Sequence, residues 1–253
     1  MDSAPLISVI TVVYNGAAHI ESTIKSVIGQ TYQGIEYIII DGASTDGTLE
    51  IIHKYQSRLG YWISEPDQGI YDAMNKGFKA AHGDYVVFLN SGDQFYGFET
   101  LEEVFKNGEA DVYFGETMFI DAQGREIGTR SELTTRKLPN RLTYKSFQLG
   151  MVVSHQAFIA RKSLAPLYNL SYSCSADIDW CISVLKRSKI IVRYNGKMIR
   201  YLTQGFSVRN RKICLIERFR VFIHHFGLIS AILFHIIIIA RQIYYKLTGR
   251  PNF

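Results

Sequence analysis

Polar residues directly follow three short apolar segments in the first half of the chain. They are Tyr14 with Asn15, then Asp41, then the group Asn90, Ser91, Gly92 and Asp93. If the apolar segments are parallel strands, their carboxyl ends meet at one edge of a sheet, and ligands bind just beyond that edge. A carboxylate in this position is suited to hold a divalent metal rather than to fill a core. Asp93 is therefore the first candidate for metal binding.

The segments that precede these residues have the composition of buried strands. Leu6–Val13, Ile35–Ile40 and Tyr85–Leu89 are short and rich in β-branched or aromatic residues, as parallel strands covered on both faces are. Apolar residues at helical spacing lie between them, and helices are predicted over 49–58 and 70–82. Strands and helices that alternate with short connections indicate an α/β fold with a right-handed, mostly parallel sheet.

Further elements are predicted along the rest of the chain. The predicted strands are 61–64, 110–115, 151–159, 190–194 and 198–202, with a helix over 101–105, a hairpin and loop over 116–139 and a helix over 176–186. The 253 residues can bury a full core. We predict one domain over residues 1–210, followed by a helical tail over 211–253.

The tail is basic and apolar. From Lys186 to the end, the chain has 14 Lys and Arg against one acid, Glu217, which suggests an anionic partner, either phospholipid or nucleic acid. As a helix, Leu228–Ala240 would span about 20 Å, short of the roughly 30 Å hydrocarbon core. We predict a helix in a membrane interface, anchored by basic and aromatic residues. A buried core helix, a dimer helix and a solvated basic helix are the alternatives.

The cysteines and the N-terminus carry no targeting or metal signal. Cys174, Cys181 and Cys214 make an odd count without a Cys-x-x-Cys pair, so we predict reduced thiols and neither a disulfide framework nor a zinc site. The first five residues include no basic residue before the apolar run, which predicts that no signal peptide is present.

Four segments together resemble a known enzyme family. They are VITVVYN (9–15), IDGASTDGT (40–48), SEPDQGIYDAMNKG (64–77) and LNSGD (89–93). These segments resemble the family 2 inverting glycosyltransferases with the GT-A fold, and most of all the bacterial enzymes that assemble O antigen, colanic acid or capsule. The resemblance implies a Rossmann-like mixed sheet flanked by helices. It is strong over residues 5–115 and weaker to about residue 207.

The resemblance implies a nucleotide-sugar site at the strand ends. Asp41 would accept hydrogen bonds from the base, with Tyr14, Asn15 and Ser44 beside it. Asp72 and Lys76, one turn apart on a helix, would face the nucleotide and its phosphates. An ordinary surface ion pair between these two residues is an equally good interpretation.

The resemblance also implies a metal site beside the donor. The family motif is usually Asp-x-Asp, whereas this chain has Ser91-Gly92-Asp93. Asp93 would bind Mn²⁺ or Mg²⁺ next to the diphosphate, with Asn90 and Ser91 close to the donor. Because one carboxylate is missing, free metal should bind weakly and depend on the nucleotide to complete its coordination.

Inversion at the anomeric carbon requires a base that takes the proton of the acceptor hydroxyl. The family supplies the Asp of a Glu-Asp pair at the head of a helix, and this chain has Ala176-Asp177-Ile178-Asp179-Trp180. Asp177 aligns with that base and Asp179 is the second candidate. Acids at a helix N-terminus are also favoured by the helix dipole alone.

Two further residues are expected near the ligands. His155, on the predicted strand 151–159, would contact the diphosphate, the metal or the acceptor, although a hydrogen-bonded core histidine is the more common outcome. Gln204-Gly205-Phe206-Ser207 resembles the family's Gly-Gly-x-Ser loop, which implies that this loop folds over the donor with Arg209 near a phosphate.

The expected activity is transfer of a hexose, glucose or galactose, from a UDP-sugar to a lipid-linked saccharide such as GlcNAc-diphosphoundecaprenol. The resemblance favours an anionic membrane surface over nucleic acid as the partner, and places the enzyme peripherally on the cytoplasmic face of the bacterial inner membrane. The Gly-x-Gly-x-x-Gly motif of dinucleotide oxidoreductases is absent from the sequence. A non-catalytic nucleotide- or membrane-binding subunit of a polysaccharide assembly complex is the alternative.

Overall fold

The structure, a computed structural model, describes residues 4–203 and 211–247. The strands of this part of the chain are β1 (Ile7–Val13), β2 (Ile35–Asp41), β3 (Tyr61–Ser64), β4 (Tyr85–Phe88), β5 (Gln94–Phe95), β6 (Val112–Ile120), β7 (Glu126–Thr129), β8 (Phe158–Arg161) and β9 (Ile191–Leu202). The α-helices are α1 (Ile20–Ile28), α2 (Thr48–Tyr55), α3 (Ile70–Ala80), α4 (Thr100–Phe105), α5 (Arg130–Leu133), α6 (Ala176–Arg187), α7 (Arg211–Phe226) and α8 (Leu228–Leu247).

The strands form one mixed sheet with helices against it. Its order is β3-β2-β1-β4-β8-β6-β9-β5, and β7 pairs with β6. The half β3-β2-β1-β4 is parallel throughout, whereas β8 runs antiparallel to both β4 and β6. The predicted α/β fold is therefore confirmed, with a parallel half that aligns Val13, Asp41 and Ser64 across the carboxyl ends of three strands.

The centre of the sheet is buried on both faces, as its composition predicts. Every residue of β1 and β4 is buried. Helix α3 packs closely on β1, because a Cβ atom at Gly77 would lie 2.4 Å from the Ile10 side chain. Only glycine allows this close approach of α3 to the sheet.

Three sequence predictions differ from the structure. The apolar run 151–159 is not one strand, because His155–Ala157 forms a 3-10 helix before β8. The strands predicted over 190–194 and 198–202 are a single strand, β9. Cys174 and Cys214 form a disulfide, with Cα atoms 5.1 Å apart, so the prediction of reduced thiols is wrong for this pair. The odd count is explained by Cys181, which is free and buried.

The described part of the tail is a helical hairpin. Gly227 turns the chain between α7 and α8 with a left-handed φ of 83°, which glycine adopts readily. Phe222 packs against Phe234 across the hairpin, and Ala231 and Ile238 are buried. No helix within the described residues combines the length and apolar character needed to cross a membrane.

Candidate active site

The loops after β1 and β2 hold each other in place. The backbone N–H of Asn15 donates to Ser44 Oγ (2.7 Å), and Asn15 Oδ1 accepts from the backbone N–H of Thr45 (2.9 Å). Asn15 and Ala43 both have left-handed φ values, 49° and 63°, an uncommon conformation that surrounding contacts must maintain. Tyr14 stands beside this pair with 67% of its surface exposed.

Asp41 is fully buried beneath these loops. One carboxylate oxygen accepts from Ser44 Oγ (2.5 Å), and the other accepts from the Ser44 N–H (2.9 Å) and from Ser64 Oγ (2.6 Å). A Cβ atom at Gly42 would lie 2.5 Å from Asp67 and 3.4 Å from the Tyr14 ring. Asp41 thus organises the loop, and a ligand that binds it directly must compete with the two serines.

Asp72 and Lys76 attach the loop before α3 to that helix. Asp72 Oδ2 accepts from the Gln68 N–H (3.1 Å). Lys76 Nζ donates to the Pro66 carbonyl (2.8 Å) and pairs with Glu65 at 2.8 Å, whereas its distance to Asp72 is 3.9 Å. The hydrogen bond that Lys76 donates to Glu65 raises the pKa of Lys76, so the lysine charge is already engaged in this loop.

Asp93 lies in the turn after β4 and is only 4% exposed. Its Oδ1 accepts from the Leu202 N–H (3.1 Å), and its Oδ2 accepts from Gln156 Nε2 (2.8 Å). Burial raises the pKa of Asp93 to about 7. In the described part of the chain, Asn90 Oδ1 and Ser91 Oγ are buried without a hydrogen-bond partner. Uncommitted oxygens beside a carboxylate are the donors that a hard divalent cation or its ligands can use.

Asp177 lies in the first turn of α6. Its Oδ1 accepts from the Ile178 N–H (2.8 Å) and, at 3.4 Å, from the Tyr71 hydroxyl. Burial raises the pKa of Asp177 to about 6. The negative charges of Asp93 and Asp177 both add to the effect of burial in raising the pKa of Tyr201. The charges of the predicted metal ligand and of the predicted base therefore both act on the Tyr201 side chain.

Asp179 faces a different neighbour. Its Oδ1 is 2.7 Å from Nε2 of His225, on α7, and the His225 side chain is 3% exposed. Lys186 Nζ lies 3.0 Å from the other ring nitrogen of His225. Asp179 thus links α6 to the tail, which favours Asp177 over Asp179 as the base.

A family model described as Glycosyl transferase family 2 matches residues 8–167 of the chain. The chain belongs to glycosyl transferase family 2. An uncharacterized glycosyltransferase of Mycobacterium tuberculosis, Rv1514c, is 34% identical over 187 residues, which cover 72% of this chain and 70% of the relative. A PGL/p-HBAD biosynthesis glycosyltransferase of Mycobacterium bovis is 31% identical over 202 residues, covering 76% of this chain and 74% of the relative.

Solved structures support the fold of this family 2 glycosyltransferase. S. aureus TarS 1–349 in complex with UDP superposes with a TM-score of 0.68 at 17% identity, covering 96% of this chain and 73% of TarS 1–349. The mannosyltransferase PcManGT from Pyrobaculum calidifontis, in complex with GDP-Man and Mn²⁺, gives a TM-score of 0.59 at 14% identity, covering 98% of this chain and 82% of PcManGT. Both agree with the predicted GT-A-like sheet.

His155 occupies the core of this family 2 glycosyltransferase. It is 5% exposed, its Nε2 is hydrogen-bonded to the Tyr168 hydroxyl, and its ring packs against Phe88 and Trp180. Burial lowers the pKa of His155 to about 3, so the ring is neutral at physiological pH. It lies on a 3-10 helix and not on the predicted strand. Arg209, the other predicted phosphate contact, lies outside the described residues.

The sequence did not predict the roles of Gln156 and Tyr71. Gln156 donates to Asp93, and the Tyr71 hydroxyl donates to Asp177. Gln156 follows His155 directly, and Tyr71 lies within the segment SEPDQGIYDAMNKG. Both residues are therefore in segments that the sequence analysis had already singled out. Their roles depend on long-range contacts, because Gln156 is 63 residues from Asp93 and Tyr71 is 106 residues from Asp177.

Glu217 was also missed, although it is the single acid of the basic tail. Its carboxylate is 6% exposed and accepts from the backbone N–H groups of Ser173 (2.8 Å), Cys174 (2.7 Å) and Ser175 (3.1 Å). Ser175 is the N-cap of α6. Helix α7 therefore holds the start of the helix that carries Asp177.

Proposed function

We propose that this family 2 glycosyltransferase transfers glucose or galactose from a UDP-sugar to a lipid-linked saccharide with inversion at the anomeric carbon. The expected acceptor is a saccharide such as GlcNAc-diphosphoundecaprenol, used to build O antigen or another surface polysaccharide at the cytoplasmic face of the bacterial inner membrane. The observation that carries the proposal is that a buried carboxylate, Asp93, and a half-buried one, Asp177, both act electrostatically on the same side chain, Tyr201. UDP as the nucleotide is favoured by TarS, solved with UDP and with UDP-GlcNAc.

Asp177 is the proposed general base. The acceptor oxygen forms its bond to the anomeric carbon while the bond from that carbon to the diphosphate breaks, and the hydroxyl proton passes to Asp177. With a pKa of about 6, Asp177 is mainly ionised at pH 7 and still basic enough to take the proton. The Tyr71 hydroxyl and the Ile178 N–H orient the carboxylate.

Asp93 is the proposed ligand of Mn²⁺ or Mg²⁺. The free oxygens of Asn90 and Ser91 and a carboxylate held by Gln156 fit a hard cation, which prefers oxygen ligands. When bound, the metal would neutralise the charge of the departing nucleoside diphosphate. A single carboxylate supplies little charge, so we expect the affinity for free metal to be low and the diphosphate to complete the site.

The exposed face of α8 supports a membrane-bound acceptor. Its exposed apolar side chains include Leu228, Ile229, Ile232, Leu233, Ile236, Ile237, Ile239 and Ile243. A contiguous apolar helix face of this kind is suited to the interface of a bilayer, where it is buried among the headgroups and upper acyl chains. The sugar of a lipid-linked acceptor would then be held near the sheet edge.

The test is a transfer assay with a synthetic GlcNAc-diphosphate-lipid and a panel of UDP- and GDP-sugars, with Mn²⁺ and with EDTA. We expect product from a UDP-hexose, dependent on metal, and its loss in Asp177→Asn and Asp93→Ala. Asp179→Asn is the matched control and should retain activity. If no donor gives product while UDP still binds, the non-catalytic assembly subunit becomes the better interpretation.

A further inference from the structure

Three arginines from separate segments meet where the catalytic domain contacts the tail. Arg136 follows α5, Arg218 lies on α7 and Arg241 lies on α8. Arg136 Nη2 donates to the Ser146 carbonyl (2.8 Å) and Arg241 Nη2 donates to the Leu149 carbonyl (3.1 Å). Both carbonyls belong to one short 3-10 helix, Tyr144–Leu149, so the two guanidinium groups bind the same element.

The charge of Arg241 acts on both of the other arginines. Burial, and to a smaller extent the charge of Arg241, together lower the pKa of Arg136 to about 10. Burial and the same Arg241 charge also lower the pKa of Arg218. Arg241 is thus close to both neighbours, and like charges in a poorly hydrated place repel each other strongly.

Several donors of this cluster have no acceptor. Among the described residues, Nη1 of Arg136 and both Nε and Nη2 of Arg218 are buried without a hydrogen-bond partner. A buried charged donor left unsatisfied is costly, and proteins seldom retain one without a use.

Few acidic residues lie near Arg136 and Arg218 in the sequence. There is no Asp or Glu between Glu132 and Asp177, and after Asp179 the single acid is Glu217. Glu217 is engaged by the backbone of Ser173, Cys174 and Ser175. The acids closest to Arg136 and Arg218 in the sequence therefore do not account for the unsatisfied donors of these two arginines.

We propose that Arg136, Arg218 and Arg241 form a binding site for a phosphoryl group, a phosphate or a diphosphate. Guanidinium groups present planar pairs of donors that match phosphate oxygens. The cluster includes a residue of α8, the helix with the exposed apolar face, which suits a phosphoryl group carried by a lipid. That this group belongs to the lipid-linked acceptor rests on the function proposed above, whereas the anion site itself does not.

The first measurement is calorimetric binding of inorganic pyrophosphate in the presence of EDTA and saturating UDP. These conditions prevent pyrophosphate from binding at the donor site. We expect Arg136→Gln and Arg218→Gln each to weaken binding about tenfold, the loss of one charge-assisted interaction. Arg220→Gln is the matched control, since Arg220 is exposed on the same helix, and should change the affinity less than about twofold, the usual size of an exposed charge effect. The second measurement is binding to phosphatidylcholine vesicles with and without phosphatidylglycerol.

Each outcome decides the proposal. Arginine-dependent binding of pyrophosphate supports the site, and arginine-dependent preference for phosphatidylglycerol without pyrophosphate binding supports a lipid-borne phosphoryl group. An equal loss in Arg220→Gln, or no effect of the variants in either assay, overturns it. Thermal unfolding shows whether the variants are folded. In the absence of anion, they should be at least as stable as the wild type. Arg218→Lys keeps the charge and serves if Arg218→Gln does not fold. Absence of sugar transfer would leave these binding results unchanged.

Discussion

At the scale of single residues, the acids near the sheet edge differ in what already binds their oxygens. Asp41 accepts three hydrogen bonds from serines, and Asp179 is paired with His225. Asp177 has one close backbone donor and one long contact with Tyr71. Both contacts are to Oδ1 of Asp177, and a base needs an oxygen, here Oδ2, that can take a proton.

The raised pKa of Asp177 sets the expected pH dependence. The carboxylate must be ionised to accept a proton, so kcat/KM should fall as pH drops through about 6 and reach a plateau above it. Asp177→Asn should lower kcat by about 10²- to 10⁴-fold, the usual contribution of a general base. Rates measured from pH 5 to 9 would test this. The control Asp179→Asn should retain the fall of kcat/KM at low pH, the acid limb of the profile. A limb unchanged by Asp177→Asn would assign the base to another group.

His155 can be tested as a core residue rather than a ligand contact. His155→Leu leaves the buried Tyr168 hydroxyl without its partner, which should lower the free energy of unfolding by about 1–3 kcal/mol. In the double variant with Tyr168→Phe the two losses should not add, because the unsatisfied group is gone. Urea unfolding of the four proteins of this cycle measures the coupling. Additive losses, or a large increase in KM for the donor, would instead support a role at the ligand.

At the scale of elements, the junction between α6 and α7 matters most for the site. Glu217 caps the start of α6, the Cys174–Cys214 disulfide lies beside it, and His225 bonds to Asp179. Three contacts of different chemistry thus fasten the tail to the helix that bears the proposed base. Asp177 is therefore positioned both by Tyr71, on α3, and by Glu217, on α7.

Glu217→Gln should reveal this positioning. The variant weakens the cap, so we expect a lower melting temperature and a kcat reduced by about tenfold, as loss of a charged hydrogen bond would give. The Glu217 charge also contributes to the raised pKa of Asp177, so the acid limb should move to lower pH. His225→Gln breaks the other contact without removing that charge, and should reduce stability with the limb in place. If the acid limb lies at the same pH in both variants, Glu217 stabilises the fold without influencing the pKa of Asp177.

At the scale of the whole molecule, the tail combines a buried and an exposed surface. Ile238 is buried against the hairpin core, while Ile229 and Ile236 are 77% and 58% exposed. The double variant Ile229→Glu and Ile236→Glu should abolish most binding to lipid vesicles, because charges are strongly disfavoured in the hydrocarbon region. Transfer to a short-chain, water-soluble acceptor should change little. Vesicle co-sedimentation and the soluble assay together test this, and undiminished sedimentation would contradict a role for this face.

The parallel half of the sheet was predictable because each strand is a continuous apolar run that ends in a polar residue. The same logic located Asp41 and Asp93 at strand ends. It failed for 151–159, where the apolar composition reflects burial of the 3-10 helix at His155 rather than a strand. Contacts such as Gln156 with Asp93 depend on how distant segments pack, which local composition does not encode.

The cap that Glu217 provides has a practical consequence for work with shortened forms of the chain. Ending the protein near residue 210 looks attractive, since it would remove the exposed apolar side chains of α8 and ease handling in water. The same cut would remove Glu217, Cys214 and His225, the groups that hold the start of α6. If such a protein were inactive, loosening of α6, which carries the proposed base, could not be distinguished from loss of the proposed lipid contact. Surface substitutions on α8 separate these two causes, because they leave the anchoring residues of α7 intact.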